Sequence, residues 1–517
     1  INNTALNGSG GAVYANNTVT IVNGSEFINN TAKSGGAVTS ALGNITVNDT
    51  EFVNNTATSG NGGALNSVTD EVFVNNTKFD NNNATNGLGG AIYGKTNVTA
   101  INTTFTNNTA GTAGGAIFSD TGIVNTSNSH FINNNVTNGS GGAIYSNNNI
   151  IVNVTEFTNN TATLSGGAIY TSNGGVSSIN STFTNNNAIK VNGGAIYANN
   201  LTTIDSNYTN NTAGTSGGAI YSDTGKVLAD NVSFVNNTAV SQGGAGYANI
   251  TVKLTNSNFT NNKVNGTSGT AGGAVFSNDQ VIADNIKFIN NTAINGLGGA
   301  IYANSTVTAN NSSEFINNTA NYGGAIYSVM GNVSSNTVTF VNNTATLSGG
   351  AIYSDNGFVT NVKTSFDNNT AGTYGGAIFA ANNITSTDSN FTNNTATNTT
   401  GAGGAIYSSA GAVSTDNVNF INNTATTTGG AIWSKLNVTV KGSNFIDNKV
   451  NGTNNTAGGA IYSDTGSVTT DNSKFLNNTA INGLGGAIYT KNIVTTNNSS
   501  EFINNTAKSG GAIYSPE

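Results

Sequence analysis

The chain has 517 residues, only 7% of them charged, against about 25% in an average globular protein. Its formal charge is −8, all fifteen basic residues are lysine, and cysteine is absent. These values exclude a basic nucleic-acid footprint, a disulfide scaffold and thiolate metal sites, and no run of 18 apolar residues exists to insert this segment in a membrane.

Taken in order, the chain writes one unit again and again. Gly-Gly-Ala occurs twenty times, from Gly10 to Gly510, at intervals of 24 to 29 residues. Each copy opens a short apolar stretch of the form Ala-Ile-Tyr, as at Ala300-Ile301-Tyr302. A polar turn follows, either "SDTG"-like or of the "ANN", "KLN" or "KTN" kind. Next come stretches such as Val-Thr-Val and Val-Ser-Phe, then an aromatic followed by x-Asn-Asn or, once, x-Asp-Asn. The distance from Gly-Gly-Ala to that aromatic holds at 15–17 residues, whereas the distance back to the next Gly-Gly-Ala varies from 8 to 13. Insertions collect in loops, so one side of the structure carries the variable loops.

These apolar stretches are short, β-branched or aromatic, and bounded by Gly, Asn, Asp and Ser, which is strand-and-turn chemistry. No window shows a 3.6-residue apolar stripe. The expected fold is all-β: a right-handed single-stranded parallel β-helix, a solenoid of about 20 rungs of ~26 residues with three short strands per rung. Stacked at ~4.8 Å per rung, it would form a rod roughly 90–100 Å long. Residues 1–517 read as one continuous β-helix region. Both ends fall inside a repeat, so the chain is expected to be a segment of a longer protein, without its caps, signal and anchor.

Two columns are assigned to structure. The aromatic before x-Asn-Asn is Phe in eighteen rungs and Tyr208 in one. Phe27, Phe52, Phe105, Phe288 and Phe475 are therefore expected to stack in the core. Three residues further on stands an unbroken column of Asn, including Asn30, Asn55, Asn108, Asn291 and Asn478. It is expected to bond amide to amide along the stack while tolerating unusual turn dihedrals. The paired glycines suit a turn needing positive φ or a close backbone approach.

A third column is the aromatic of Gly-Gly-Ala-x-aromatic, filled in eighteen of twenty repeats, with Thr39 and Asn66 the exceptions. If Ile301 points inward, Ala300 and Tyr302 fall outward by strand alternation. Tyr93, Tyr145, Tyr197, Tyr302, Tyr353, Trp433 and Tyr489 are then a candidate surface stripe for sugars or a neighbouring copy; the alternative is that they cover a loop or a flanking strand. Asn-x-Ser/Thr sequons recur with the repeat, making Asn29, Asn54, Asn107, Asn159, Asn236 and Asn317 candidate N-glycosylation sites in a secreted chain.

Catalysis is not expected. The 23 acidic residues are spread over twenty rungs. The single histidine, His130, occupies a slot that elsewhere holds Ser, Thr, Glu, Lys or Asn, so it reads as solvent-facing. Asp120, Asp223, Asp355 and Asp464 of the "SDTG"-like turns suit turn formation better than Ca²⁺. No cofactor or metal is expected.

The pairing of Gly298-Gly299-Ala300-Ile301 with Phe288-x-x-Asn291, and its copies throughout the chain, resembles the repeats of chlamydial polymorphic membrane proteins and of adhesin-like surface proteins of methanogenic archaea. The low-charge, Asn/Thr-rich composition without Arg is closer to the archaeal group. The resemblance implies an extracellular location at the cell surface and a stalk or passenger, a rigid rod displaying loops for adhesion. The partner would be a ligand on a host or neighbouring cell, carbohydrate among the options. The alternative is a structural subunit of an extracellular filament or sheath, self-associating laterally or end to end, since open β-edges template further pairing.

Overall fold

The computed structural model describes residues 1–453 and 456–516. It is an all-β parallel β-solenoid of about nineteen turns, without helix among the described residues. Contacts between Cα atoms divide the chain into two compact units, Ile1–Val252 and Lys253–Glu517.

In each unit the turns stack in register, like on like. In the first, Phe52 pairs with both Phe27 and Phe79, and Val98 with Val72 and Val124. In the second, Phe340 pairs with Phe315 and Phe366, and Ile352 with Ile326 and Ile378. Every side chain thus meets its counterpart one turn away, about 4.8 Å along the stack.

A turn holds four strands, not three. One turn of the second unit runs Ile352–Ser354, Val359–Val362, Ser365–Asp367 and Thr370–Ala371. The fourth is only two residues long, and it lies in the "NNTA" segment that composition marks as turn. Two residues are too few to show a period of two, so no sequence pattern could announce it. Its own ladder is nonetheless continuous through Ala345, Ala371 and Ala396.

The core is a thin column lined by one aliphatic residue from the first strand, two positions of the second, the Phe of the third and the Ala of the fourth. Ile352, Val359, Phe366 and Ala371 are each fully buried. The alanine of Gly-Gly-Ala joins them: Ala300 is fully buried, contrary to the outward placement expected from alternation. The strand begins only at Ile301, so Ala300 belongs to the preceding turn, where alternation does not apply.

The two glycines do different work. The first takes φ near +64° at Gly298, the left-handed region that glycine enters without strain. At the second the backbones almost touch: a Cβ on Gly299 would lie 2.1 Å from the Gly324 carbonyl oxygen and 2.6 Å from the Thr319 nitrogen. The doublet is one turn former followed by one position where no side chain fits.

Candidate functional site

The buried asparagines form a ladder with every hydrogen-bonding group used. Asn82 donates from its amide nitrogen Nδ2 to Asn108 Oδ1 at 3.0 Å and to the Phe52 carbonyl at 2.9 Å. Its backbone N–H donates to the same Asn108 Oδ1, also at 3.0 Å. Each Asn therefore offers two donors and two acceptances, which saturates the amide. The pattern recurs from Asn30 and Asn55 through Asn108 in the first unit, and through Asn291 and Asn478 in the second.

The ladder Asn does not carry the unusual turn dihedral expected of it. The unusual dihedral belongs to the preceding residue, two after the aromatic. Asn29, Asn54 and Asn107 have φ of 55°, 55° and 54°, whereas the ladder Asn beside each is in ordinary backbone. The two asparagines of "NNT" divide the labour: the first turns the chain through the left-handed region that Asn tolerates, and the second bonds along the stack.

The aromatic column beside the ladder stacks ring on ring. Phe27–Phe52, Phe52–Phe79 and Phe79–Phe105 have centroids 4.9 Å apart and planes within 10°. Phe288 and Phe475 sit in the same column of the second unit, at 5.0 Å from Phe315 and 4.8 Å from Phe502. Tyr208 replaces Phe without breaking the stack, and its buried hydroxyl meets Thr203 Oγ1 at 3.0 Å. Burial pushes that phenol well above its ordinary pKa.

Sequence reasoning missed two further polar columns. Two residues before the aromatic, a Ser or Thr hydroxyl accepts the backbone N–H of the rung before: Thr103 N–H donates to Ser129 Oγ at 3.1 Å and Thr364 N–H to Ser389 Oγ at 3.1 Å. After the surface aromatic, an inward Ser closes the turn: Ser463 Oγ donates to the Gly466 carbonyl at 2.8 Å. At the turns of Asp120 and Asp464 it is this Ser, not the Asp, that closes the turn, whereas Ser222 donates to the Asn199 carbonyl of the rung before. Recurrence of Ser/Thr at a fixed offset from Phe was the signal available for the first.

The Asp instead faces lysines of adjacent rungs. Asp120 pairs with Lys95, and Asp464 sits between Lys435 at 2.6 Å and Lys491 at 2.7 Å. Burial pushes the Asp464 carboxyl up, but hydrogen bonds from the two ammonium groups outweigh it and hold the group below its usual range. At these two turns the aspartate and the lysines of the rungs beside it are electrostatic complements. Asp223 and Asp355 have no lysine among the ion pairs of the described residues; Asp223 lies beside Tyr197, whose pKa burial and that carboxylate raise.

The surface aromatics do form a column, but half-buried and stacked. Tyr145, Tyr170, Tyr197 and Tyr221 follow one another at 4.9, 4.7 and 5.2 Å in the first unit, beyond Tyr93 and Phe118. In the second, Tyr302, Tyr327, Tyr353, Phe379, Tyr407, Trp433, Tyr462 and Tyr489 form one continuous run. Within these runs most rings stack on a ring at either side, which leaves mainly their edges to solvent.

Beside this column, on the variable-loop side, each unit holds an open groove. In the first unit a groove of about 400 Å³ lies between Phe118, Tyr145 and Tyr170 and the polar loop residues Asn138, Gly139 and Ser140. In the second, a groove of about 310 Å³ has Tyr353, Phe379 and Tyr407 on one wall and Tyr322, Leu347 and Tyr374 on the other. A separate depression of about 420 Å³ gathers Glu26, Asp49 and Glu51 with Lys78; Glu26 and Glu51 are register partners on adjacent rungs. No three potential metal-ligating side chains converge among the described residues. His130 is exposed, its Nε2 3.8 Å from Glu156 Oε2. The sequon asparagines Asn29, Asn54, Asn107, Asn159, Asn236 and Asn317 are all exposed, each at the positive-φ corner of its turn.

Fold and columns together define a parallel β-solenoid built on asparagine and phenylalanine ladders. Within it, the model of the Chlamydia polymorphic membrane protein repeat matches twelve segments: 102–120, 154–172, 180–199, 209–223, 285–304, 312–329, 337–355, 363–381, 388–409, 417–435, 472–491 and 499–516. The chain thus carries polymorphic membrane protein type repeats in both units. Each of the longer matches ends at or just past a Gly-Gly-Ala-x-aromatic motif, as 285–304 does at Tyr302. No curated protein matches the chain.

Proposed function

We propose that this chain is the repetitive passenger of an adhesin-like protein exposed outside the cell, where stiff stacked turns carry variable loops to a ligand on another surface. The observation that carries this reading is the run of matched repeats in a solenoid whose length variation falls on one side of the turn. The interior is spent on ladders, and neither groove beside the aromatic column holds a carboxylate, which favours display and binding over catalysis. The Arg-free, Asn- and Thr-rich composition favours the archaeal adhesin-like group within this class. The exposed sequon corners suit N-glycan attachment in such a setting.

The test uses unpermeabilised cells that encode the protein. An antibody to the chain should label them, and external proteinase K should abolish the label. Fab fragments of that antibody should lower attachment to a partner surface. Label that appears only after permeabilisation would sink the reading.

One observation favours a second reading, a laterally assembling subunit. On the second strand of the first unit, the outward column carries Phe73, Ile151 and Leu228, each three turns from the next and 37–40% exposed. Negative-stain images of the purified chain at rising concentration separate the two: discrete particles support the passenger, ordered filaments the subunit.

A further inference from the structure

The second unit departs from its own repeat at one place. The position just before the glycine pair runs down the variable-loop side as Leu297, Tyr322, Ser348, Tyr374 and Ala402, bridged one to the next. Two tyrosines therefore alternate with small residues. Tyr322 and Tyr374 stand two rungs apart, about 10 Å along the stack, with Ser348 leaving the space between them open. Across that space lie Tyr353, Phe379 and Tyr407 of the aromatic column.

These two tyrosines are oriented unlike the column rings. Tyr322 meets Tyr353 edge to face, at 5.1 Å and 69°, so its plane is turned out of the stack. Tyr374 has one ring neighbour, Tyr407, at 4.5 Å and 27°. Most column rings stack on a ring at either side; Tyr322 and Tyr374 each meet one ring and otherwise line the groove. The groove between them, about 310 Å³, has no charged residue in its lining and carries the hydroxyls of Ser348, Thr373 and Ser409 at its rim. That volume is at the small end for ligand pockets, about 300–1,000 Å³.

We propose that the groove bounded by Tyr322, Ser348 and Tyr374 is a binding site for one residue of a neutral glycan. A pyranose ring has an apolar face of axial C–H groups, which suits the electron-rich face of an aromatic ring, and a rim of hydroxyls that need hydrogen-bond partners. The groove supplies both: the aromatic rings of Tyr322 and Tyr374 in its lining, and hydroxyl groups around them. The absence of charge selects against uronic and sialic acids, which would have to leave their carboxylate unpaired beside phenols. Burial and the neighbouring Asp355 push the Tyr353 phenol up to about 12, so it remains a donor at any physiological pH. The open mouth admits an internal residue of a longer chain. The site deepens the adhesin reading by naming a ligand class, and depends on that reading for its biological setting but not for its chemistry.

The protein carries its own reporter. Its single tryptophan, Trp433, stacks on Tyr407 at 4.2 Å, one ring from the groove. The purified full chain is titrated with cellohexaose, maltohexaose, mannohexaose, chitohexaose and, as the charged counterpart, hexagalacturonate, following Trp433 emission and, in parallel, heat by calorimetry. At least one neutral hexamer should bind saturably, and the galacturonate should not. Tyr322→Ser and Tyr374→Ser should each weaken binding tenfold or more. Both should fold, because the column already accommodates Ser348 and Ala402. Leu164→Ala, in the groove of the first unit, should leave the affinity unchanged.

Three results would overturn the assignment: no neutral hexamer bound by either method, affinity unchanged from the parent chain in both tyrosine variants, or retention on phenyl resin without oligosaccharide binding, which would make the groove a protein-docking face. The cell-surface labelling above is independent of all three, so failure of the glycan site and failure of the surface reading are told apart.

Discussion

The inside and the outside of this solenoid obey different rules, and the contrast explains which parts of the repeat vary. An interior Asn touches the turns on both sides and uses every polar atom in doing so; a change in one rung damages three. An outward aromatic such as Tyr302 stacks on two neighbours but keeps a solvent edge, so Thr39 and Asn66 can replace it at the cost of a gap in the column. Further out, the segment before the glycine pair varies most in length, from 8 to 13 residues against 15 to 17 for the rest of the repeat. Novelty therefore accumulates outward, and two of the aromatic rings added to the pattern, Tyr322 and Tyr374, lie in that outermost layer.

The widest separation between the two regimes should come from the ladder. Asn343 accepts from both the backbone N–H and Nδ2 of Asn318 at 3.0 Å and donates to the Phe315 carbonyl at 2.8 Å. Asn343→Leu strands all three groups in the dry interior, and at about 1–3 kcal/mol for each buried unsatisfied group the loss is roughly 3–9 kcal/mol. A stack couples nearest neighbours, so the damage should be local. Hydrogen exchange should quicken by orders of magnitude in peptides around Asn318 and Asn343 and stay unchanged several turns away. Uniform protection would show that the ladder is decorative.

Close behind comes the ring column. Phe340 is fully buried and stacks at 4.8 Å on both Phe315 and Phe366. Phe340→Ala should cost about 3–5 kcal/mol, read by the same exchange experiment. Phe288→Tyr should be harmful too, because buried Ala283 stands where Tyr208 has Thr203 to meet its hydroxyl.

How much of this was legible beforehand follows from the same contrast. Phe27, Asn30 and their copies could be placed in chain order because identical residues at fixed spacing imply stacking whatever the details. The fourth strand was not legible, since Thr370–Ala371 is too short to show alternation. Nor was the burial of Ala300, which depends on where a turn ends and a strand begins. Alternation suggested an outward face for the tyrosines of the third column, but their half-buried, ring-on-ring packing is not contained in one-dimensional spacing. The groove was the least legible of all: Tyr322 and Tyr374 lie in the segment of variable length, and only the register of the stack brings them opposite Tyr353 and Tyr407.

The outer column should reveal itself in alkali. Burial first, and nearby carboxylate charge second, raise Tyr353 from 10.0 to about 12; burial likewise raises Tyr462 to about 12. A raised phenol pKa means the folded state holds its proton longer than the unfolded chain does. The stabilisation is complete below pH 10, and it drains away as pH rises from 10 towards 12. Absorbance of the phenolate should show a class of tyrosines titrating near 12, with exchange in the column turns quickening over the same interval. A single titration at 10 would mean that the rings are solvated and the stack is loose.

The smallest effect should come from the charges. Lys435 and Lys491 approach Asp464 from the rungs on either side, yet both lysines remain 41% and 51% exposed. Exposed ion pairs contribute about 0–1 kcal/mol, so Lys491→Met alone should be near neutral and its small effect should fade in high salt. The Asp464 side chain, however, is only 18% exposed, and removing both lysines leaves its carboxylate half-hidden with no counter-charge. Its pKa should then rise from below the usual carboxylate range to above it, since burial is the remaining influence. The double variant should therefore lose more than the two single variants combined, and Asp464→Asn should restore the difference. Strict additivity would place these charges among the surface pairs that add nothing.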